Sequence, residues 1–335
     1  MSKFSRYHSI GQFKNVLKQV QHDTAFQGLD DDGNPINDWN KLLPTLTFTG
    51  SEKLHGTNAA IGFEAGRVEW SQSRERILSL ENDNAGFCQW VDGNRIELNH
   101  IGAHIYANTD THFDSFLIYG EWCGSNIQPQ VVLSKLPKQF IVFGIKLRKG
   151  AVDIWLSDRE VKLLLENKLK TIFDYPTYVI TINFNNPTEA INQMVSITNE
   201  VEAHSPIGLA HGIDGIGEGV VWKCNDYIFK VKGRLHSSSH TKELIPIDAE
   251  KVKNIKDCVD KIVSENRLRQ GLDYLKENNI PADNKAIGPF INWVKYDCIK
   301  EELDIILGSD LKIEDVVKEI SLKSKMFFID DVIRK

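Results

Sequence analysis

Hydrophobic and polar residues follow two different patterns along the chain. Between about Thr45 and Gly233, short apolar runs alternate with glycine, asparagine and aspartate, which predicts strands joined by turns. Ser157 and Asp158 predict the cap of a helix over Arg159–Leu169. Strands and helices do not alternate regularly, so the pattern predicts a mixed α+β domain. The predicted strands are Leu46–Thr49, Asn58–Phe63, Arg67–Ser71, Phe116–Trp122, Phe140–Lys146, Val220–Lys223 and Tyr227–Lys232.

After Arg234 the pattern becomes helical. Apolar residues recur every three or four positions from Val252 to Leu275, the spacing of one helix face. Further helices are expected to open at Pro289 and Asp310, and another over Phe13–Val20. We therefore predict a first domain over residues 1–233 with an N-terminal extension over 1–44, a polar linker over 234–248 and an all-helical domain over 249–335.

Composition narrows the class of protein. The 335 residues are 41% hydrophobic and 26% charged, as in ordinary globular proteins. Forty Lys+Arg against 46 Asp+Glu give a net charge of -6, so any phosphate binding must come from a local cluster. The five cysteines form no C-x-x-C pair, which argues against a zinc knuckle. Neither a signal-like start nor a membrane-length apolar run is present, which predicts a cytoplasmic protein without a membrane partner.

The candidate chemistry begins at Lys53, in the segment Ser51–Asn58 between a predicted strand and a predicted hairpin. Lys-x-x-Gly alone is a weak signal, because it recurs at Lys230–Gly233, and an exposed turn lysine is the alternative. The motif gains specificity because five further segments follow it along the chain in a fixed order. These segments are Ser73–Arg76, Tyr119–Gly124, Phe140–Ile145, Glu218–Lys223 and Ile228–Gly233.

These segments, in this order, resemble the motifs of the covalent nucleotidyltransferase superfamily, which contains ATP-dependent ligases and mRNA capping enzymes. The resemblance covers about Thr45 to Gly233 and implies an antiparallel or mixed-sheet, ATP-grasp-like ligase domain. DNA ligases and capping enzymes typically continue into an OB-type β-barrel, whereas this tail is predicted to be helical. The helical tail and the Glu-Lys-x-His-Gly-Thr-Asn signature at 52–58 are similar to the RNA ligase 2 family of phage and RNA-editing enzymes.

The resemblance implies an ATP-dependent RNA ligase that seals nicks in duplex RNA carrying 3′-OH and 5′-phosphate ends. Lys53 would attack the α-phosphorus of ATP to form a lysyl-AMP, from which AMP passes to the RNA 5′-phosphate. The cofactors implied are ATP and Mg²⁺ or Mn²⁺. The expected partner is nicked duplex RNA, the expected state a monomer and the expected process RNA repair.

The same resemblance assigns further residues to the nucleotide. Glu121 would accept a hydrogen bond from the ribose, and Phe143 would stack on adenine unless it is one more core aromatic. Arg74 would hold phosphate or sugar oxygens, with Arg76 as its competitor. Glu218 would bind the divalent metal. Three residues of the signature, Glu52, His55 and Asn58, would surround the nucleophile and contact nucleotide or RNA ends.

A free lysine has a pKa of ~10.4, so Lys53 needs help to become a neutral amine. Lys230 and Lys232 lie two apart on one strand and therefore share a face. Their charges would lower the pKa of Lys53 and neutralise the triphosphate. Lys223 resembles a family phosphate contact, but it lies an odd number of residues from Glu218 and would need a bulge to share its face.

The resemblance extends weakly into the helical tail. Arg267 matches a family arginine, and Asp297 with Glu301 matches an acidic pair that shares one helix face; these residues would act in RNA sealing. One departure is Gly144, where phage relatives often carry aspartate. Alternatives that remain open are a DNA or RNA/DNA-hybrid nick ligase, a GTP-using capping enzyme and a non-catalytic RNA-binding scaffold.

Overall fold

The computed structural model describes residues 3–109, 111–236, 254–308 and 311–334. Its strands are β1 (Phe26–Leu29), β2 (Pro35–Asn37), β3 (Thr45–Glu52), β4 (Thr57–Glu64), β5 (Arg67–Ser73), β6 (Ser115–Cys123), β7 (Gln139–Lys149), β8 (Val152–Trp155), β9 (Thr177–Asn183), β10 (Gly219–Cys224) and β11 (Tyr227–Lys232). Its α-helices are α1 (Phe13–Ala25), α2 (Phe87–Gly93), α3 (Arg95–Ala107), α4 (Asp158–Leu165), α5 (Thr188–Ala203), α6 (Pro206–Ala210), α7 (Ile255–Ile262), α8 (Glu265–Glu277), α9 (Ile287–Gly308) and α10 (Ile313–Phe328).

The elements fall into two compact units. The first comprises Met1–Ser9, Ser51–Thr177 and Ala203–Gly217, and the second comprises Ile10–Gly50, Tyr178–Glu202 and Glu218–Lys335. The helical tail thus belongs to the same unit as β10 and β11, and the units follow bounds other than those of the predicted domains. The functional division at residue 233 stays a prediction, and residues 237–248 of the predicted linker lie outside the described residues.

The first unit is built on an antiparallel sheet in the order β5-β4-β6-β7-β8. Alternate residues of its strands point to opposite faces. On β4, Ala59, Ile61 and Phe63 pack into a core with apolar residues of α2, α3 and α4, whereas Ala60 packs on the other face with Trp70 and Tyr119. One face is therefore closed by helices. We call the other face, which carries Ala60 and Tyr119, the site face.

The second unit contains a sheet in the order β11-β10-β3-β9. Phe48, Trp222 and Phe229 lie on one face of this sheet and pack against apolar residues of α1 and α5, with each of the three rings fully buried. Buried and more exposed residues alternate along β3, because successive side chains of a strand point to opposite faces and only one face of this strand is covered.

The helical tail has a core of its own, centred on apolar residues of α7, α8, α9 and α10. Within it lies a fully buried guanidinium, that of Arg267 on α8. Its Nε donates to Asp297 Oδ2 at 2.8 Å, its Nη2 to Glu302 Oε1 at 3.4 Å, and its Nη1 to the carbonyl oxygen of Ile262. Glu302 also pairs with Lys14 of α1 at 3.2 Å. Arg267 thus joins α7, α8 and α9 through buried polar contacts.

The α+β class with a helical C-terminal region is confirmed, and most predicted elements form. The structure has all seven predicted strands, most of them longer by one or more residues, and Ser157 caps α4 through a reciprocal bond with Glu160. That helix ends at Leu165, four residues earlier than predicted. The helix expected to open at Pro289 begins at Ile287, and α10 begins at Ile313; the start predicted at position 310 lies outside the described residues.

Among the described residues, no helix combines the length and the apolar character required to cross a lipid bilayer.

We expect Arg267→Ala to lower the free energy of unfolding by about 3–5 kcal/mol, because it removes the fully buried cation that pairs with both Asp297 and Glu302. Arg269→Ala on the same helix is the matched control, since Arg269 is exposed and pairs only across one helical turn with Glu265; we expect a change of at most about 0.5 kcal/mol. Urea denaturation followed by circular dichroism measures both. Equal effects of the two substitutions would contradict the buried role of Arg267.

Candidate active site

Lys53 lies in the four-residue loop that joins β3 to β4, as predicted. The residue before it, Glu52, ends β3 and is buried, with 2% of its surface exposed. Its Oε1 accepts a hydrogen bond from Ser205 Oγ at 2.6 Å, and its Oε2 accepts one from the backbone N–H of Ile207 at 2.9 Å. The Glu52 carboxylate therefore anchors the loop.

The residue after the lysine forms a second anchor. Leu54 is buried in a cluster with Cys123, Ile141 and Ile207, whereas Lys53 and His55 on either side of it are partly exposed. Anchors on both sides of Lys53 fix the backbone that carries the amine. His55 lies in the same loop, as the signature predicts.

The loop closes against β6 at Gly56. A Cβ atom on Gly56 would lie 2.4 Å from the carbonyl oxygen of Trp122 and 2.8 Å from Cys123 Cβ, distances that real side chains do not reach. The Gly56 N–H donates to Glu121 Oε1 at 3.2 Å. The glycine of the signature is thus required by the close approach of the loop to β6.

Two predicted nucleotide residues meet beside this loop. Asn58 on β4 is directly opposite Glu121 on β6 in the antiparallel register, so both side chains point to the site face. One oxygen of Glu121 receives the Gly56 N–H. The structure therefore brings Asn58, Glu121 and the nucleophile loop together, as expected from the motif order.

A buried thiol also lies beside the loop. Burial raises the pKa of Cys123 well above its usual range, and the charges of Glu121 and Glu52 raise it further. A thiol with a raised pKa stays protonated and is a poor nucleophile. Cys123 therefore serves packing and does not compete with Lys53.

Phe143 occupies a β-bulge. In the register of β6 with β7, Tyr119 is opposite Gly144 and Gly120 is opposite Val142, so Phe143 is the extra residue between them. Its ring is partly buried and packs with Tyr119 and with Tyr7, whose ring centroid is 4.9 Å away. Bulges re-aim side chains beside functional sites. Phe143 is therefore a partly exposed aromatic of the site face that also packs against two buried clusters.

The two competing arginines lie in different surroundings. Arg74 is exposed just after β5, and its Nη2 donates to Ser9 Oγ at 3.1 Å. Arg76 is partly buried, and its Nη2 donates to the carbonyl oxygen of Asp83 at 3.3 Å. Exposure favours Arg74 for contacts with phosphate or sugar oxygens.

In the second unit, β10 and β11 pair in a register that runs without a shift from Gly219 opposite Lys232 to Cys224 opposite Tyr227. Directly opposed residues share a face, so Lys223, Lys230 and Lys232 all lie on the face away from Trp222 and Phe229. Lys223 reaches this face without a bulge inside β10, because the register of the strand pair has no shift. The structure brings the three lysines to one polar face.

Glu218 lies just before β10, outside the regular strand. Gly219 has φ +146°, and a Cβ there would lie 2.2 Å from the carbonyl oxygen of Val231. This turn at Gly219 interrupts the alternation of side chains, and Glu218 Oε1 lies 3.1 Å from Lys232 Nζ. Both side chains of the pair are buried. Counting odd and even positions along the sequence assumes a regular strand and cannot include the irregular backbone at Gly219.

The residues expected to act in sealing are also paired. Glu301 Oε1 lies 3.8 Å from Lys230 Nζ and is buried, while Asp297 binds Arg267 at the edge of the tail core. The complete burial of Arg267 is that of a structural residue. A role of Arg267, Asp297 and Glu301 in RNA sealing stays a prediction.

The fit of a divalent metal can be judged from the donors. Among the described residues, no group of three or more histidine, cysteine or acidic side chains is arranged to hold a metal ion. Mg²⁺ commonly takes one or two protein carboxylates and completes its shell with substrate phosphates and water. Glu218, a single carboxylate beside a lysine, fits that pattern.

A mixed α+β domain with a lysine held between two strands is the arrangement expected of a nucleotidyltransferase. The family model described as RNA ligase matches residues 46–235, more than half of the chain. The chain therefore belongs to the RNA ligase family.

Comparison with solved structures finds the RNA ligase of Naegleria gruberi with PPi, at 17% identity and TM-score 0.45, over 70% of this chain and 57% of that one. A lysine-to-alanine mutant of that ligase, with ATP and Mn, is 15% identical with TM-score 0.45, over the same shares. The chain thus spans less than two thirds of the length of these structures. No curated protein matches the sequence significantly.

Some contributors to the site gave no sequence signal. Ser205 and the Ile207 N–H, the partners of Glu52, lie more than 150 positions away along the chain. Tyr7 reaches Phe143 from a similar distance. Only the tertiary fold makes these contacts visible.

We expect Gly56→Ala to lower the free energy of unfolding by about 1–3 kcal/mol, since the new methyl group would overlap backbone and side-chain atoms of β6. Gly93→Ala is the control, because a Cβ at Gly93 has nothing within 4 Å. We expect no loss of stability in the control. Thermal unfolding of the two variants measures the difference, and equal melting temperatures would contradict the close approach at Gly56.

Proposed function

We propose that this protein is an ATP-dependent RNA ligase of the RNA ligase 2 type, acting as a monomer in RNA repair. It would seal nicks with 3′-OH and 5′-phosphate ends in duplex RNA. The observation that carries the proposal is the anchored loop, in which Lys53 lies between the buried Glu52 and Leu54 in a chain of the RNA ligase family.

The proposed chemistry has three balanced steps. The neutral Lys53 amine attacks the α-phosphorus of ATP, a P–N bond forms, the nitrogen loses a proton to solvent, and the bond to the β-phosphate breaks to release pyrophosphate. The RNA 5′-phosphate then attacks the same phosphorus, the P–N bond breaks as the nitrogen takes up a proton, and a 5′-5′ pyrophosphate link forms. Finally the RNA 3′-hydroxyl attacks the 5′-phosphate, loses its proton to solvent or base, and releases AMP.

Residues of the first unit would bind the nucleoside part of ATP. The Glu121 carboxylate, whose Oε1 accepts from the Gly56 N–H, would also accept a hydrogen bond from a ribose hydroxyl. Asn58, opposite Glu121, would donate its amide to the nucleotide or an RNA end. Phe143 would stack on adenine, and the exposed Arg74 would hold phosphate or sugar oxygens. Aromatic stacking is sequence-tolerant and contributes about 1–3 kcal/mol per base.

Residues of the second unit would serve phosphate groups. Lys223, Lys230 and Lys232 share one face of their sheet, which supports a role in binding phosphate oxygens. Glu218 would hold Mg²⁺ or Mn²⁺, and the bound ion would neutralise phosphate charge in the transition state.

A ligase for DNA or RNA/DNA-hybrid nicks is the second candidate, because the nucleotide chemistry would be identical. The specific observation that favours RNA is the family match over residues 46–235. A non-catalytic scaffold would need neither the anchored loop nor the close approach at Gly56.

We expect the protein incubated with ATP and Mg²⁺ to gain the mass of one adenylyl group, and Lys53→Ala to gain none, since the variant has no amine to form the P–N bond. Lys162→Ala, which changes an exposed lysine of α4, is the control and should form the adduct normally. Intact-mass spectrometry reads all three. An adduct that persists in Lys53→Ala would refute the assignment, and an absent adduct in the unmodified protein would favour a scaffold.

We further expect the protein to seal a nicked all-RNA duplex and to fail on an all-DNA duplex of the same sequence. Gel analysis of labelled strands follows the product, and pre-adenylylated strands separate the last step from the first two. Sealing of the DNA nick at the RNA rate would replace the RNA proposal with the second candidate. Hybrid nicks with RNA on one side would show which end is recognised as RNA.

A further inference from the structure

An N-terminal segment is fixed across the site face of the first unit. We call residues 3–9 the strap. Ser5 is its anchor: the Ser5 carbonyl oxygen accepts from Tyr119 Oη at 2.7 Å and from Gln72 Nε2 at 2.7 Å, and its Oγ accepts from Lys146 Nζ at 2.6 Å. The Ser5 N–H donates back to Gln72 at 3.3 Å. The three partners lie on three different strands, so the strap is tied to the sheet itself.

The strap places one aromatic ring against the bulged phenylalanine. The Tyr7 ring meets Phe143 edge-on at 4.9 Å with an interplanar angle of 61°. It also packs against Tyr119 at 5.4 Å and edge-on against Trp155 at 5.4 Å. Gly144 gives Trp155 room, because a Cβ at Gly144 would lie 3.2 Å from the Trp155 ring. Tyr7 thus fills the space between Phe143 and the neighbouring rings.

Tyr7 is a neutral packing group. Burial raises the pKa of its phenol far above the usual value, and the nearby charges of Asp158 and Glu121 act in the same direction. Burial likewise raises the pKa of Tyr119 to about 12. The contact between Tyr7 and Phe143 is therefore an uncharged edge-to-face pair, which depends on ring orientation.

The strap also reaches the exposed arginine. Ser9 Oγ accepts from Arg74 Nη2 at 3.1 Å, and Arg6 Nε donates to the Arg74 carbonyl oxygen at 3.4 Å. Arg6 also pairs with Glu75, the next residue. Contacts at both Phe143 and Arg74 mean that the strap touches two residues to which we assign roles in nucleotide binding.

We propose that Tyr7 is a positioning residue that sets the orientation of Phe143 and so strengthens binding of the nucleotide base. The inference rests on the proposed function, because it presumes that Phe143 stacks on the base. Phe143 is the extra residue of a bulge and has no directly opposed partner on β6, so the side chains packed around it orient its ring, and Tyr7 supplies the edge-to-face contact among them. An edge-to-face pair is worth up to about a tenfold change in an equilibrium constant.

The test measures binding separately from chemistry. In a Lys53→Ala background, where no adduct is expected, ATP and GTP affinities are measured by titration calorimetry with and without Tyr7→Leu. We expect Tyr7→Leu to weaken ATP and GTP binding by similar factors of up to about tenfold, because stacking on an aromatic ring is tolerant of the base. Tyr7→Phe keeps the ring and should retain the affinity of the parent.

Tyr106→Leu is the matched control. Tyr106 makes an edge-to-face contact with Phe113 at 5.3 Å and 81° in the same unit, on the helix-covered side of the sheet. Its loss removes an equivalent contact but should leave nucleotide affinity unchanged.

The outcomes separate the two proposals. Unchanged ATP affinity in Tyr7→Leu would overturn the inference, as would an equal change in Tyr106→Leu. No ATP binding in the parent would overturn both proposals. Tyr7-dependent ATP binding by a protein that forms no adduct at Lys53 would support the inference and refute the ligase chemistry.

Discussion

The site depends on the buried carboxylate of Glu52. A carboxylate with 2% exposure is stable only where hydrogen bonds replace its water, and Ser205 Oγ and the Ile207 N–H supply them. These donors belong to a segment far along the chain, so the carboxylate is satisfied only after the first unit has folded. These hydrogen bonds restrain the backbone before Lys53, and the burial of Leu54 restrains the backbone after it.

The sheet of the first unit divides its two faces between stability and chemistry. On the helix-covered face, residues such as Ile61, Phe116 and Ile118 are fully buried and supply apolar core. On the site face, Asn58 and Glu121 stand at the end next to the nucleophile loop, and the strap covers the part around Tyr119. Because strand residues alternate between faces, a shift of one residue in β4 would exchange the two sets. The buried core thereby fixes the register that aligns the site.

Local patterns predicted most of the fold and part of the site. The strand, loop and hairpin around Lys53 could be predicted because a strand alternates apolar and polar residues and a turn uses characteristic residues, and both patterns lie within a short stretch of sequence. Helix α5 was missed because it is rich in β-branched residues such as Thr188, Ile191 and Val195, which are weak helix formers. The bulge at Phe143 and the reversal at Gly219 depend on partner strands. No single segment encodes them, so sequence parity alone could not place Lys223 relative to Glu218.

In the second unit, Lys230 and Lys232 are paired individually with carboxylates and do not form an uncompensated positive patch. Lys232 lies beside Glu218 and Lys230 beside Glu301, and all four side chains are at least partly buried. In a region of low dielectric, a carboxylate partner offsets much of the desolvation that each ammonium would otherwise suffer. A phosphate that binds such a lysine must compete with the carboxylate already paired with it. This competition favours ligands that carry several negative charges close together over an RNA backbone, whose charges are spread out. This pairing agrees with a net charge of -6, which gives no support to bulk electrostatic binding of RNA. Phosphate binding by this unit would therefore depend on where individual lysines lie. The turn at Gly219 contributes, because it determines which lysine Glu218 can reach.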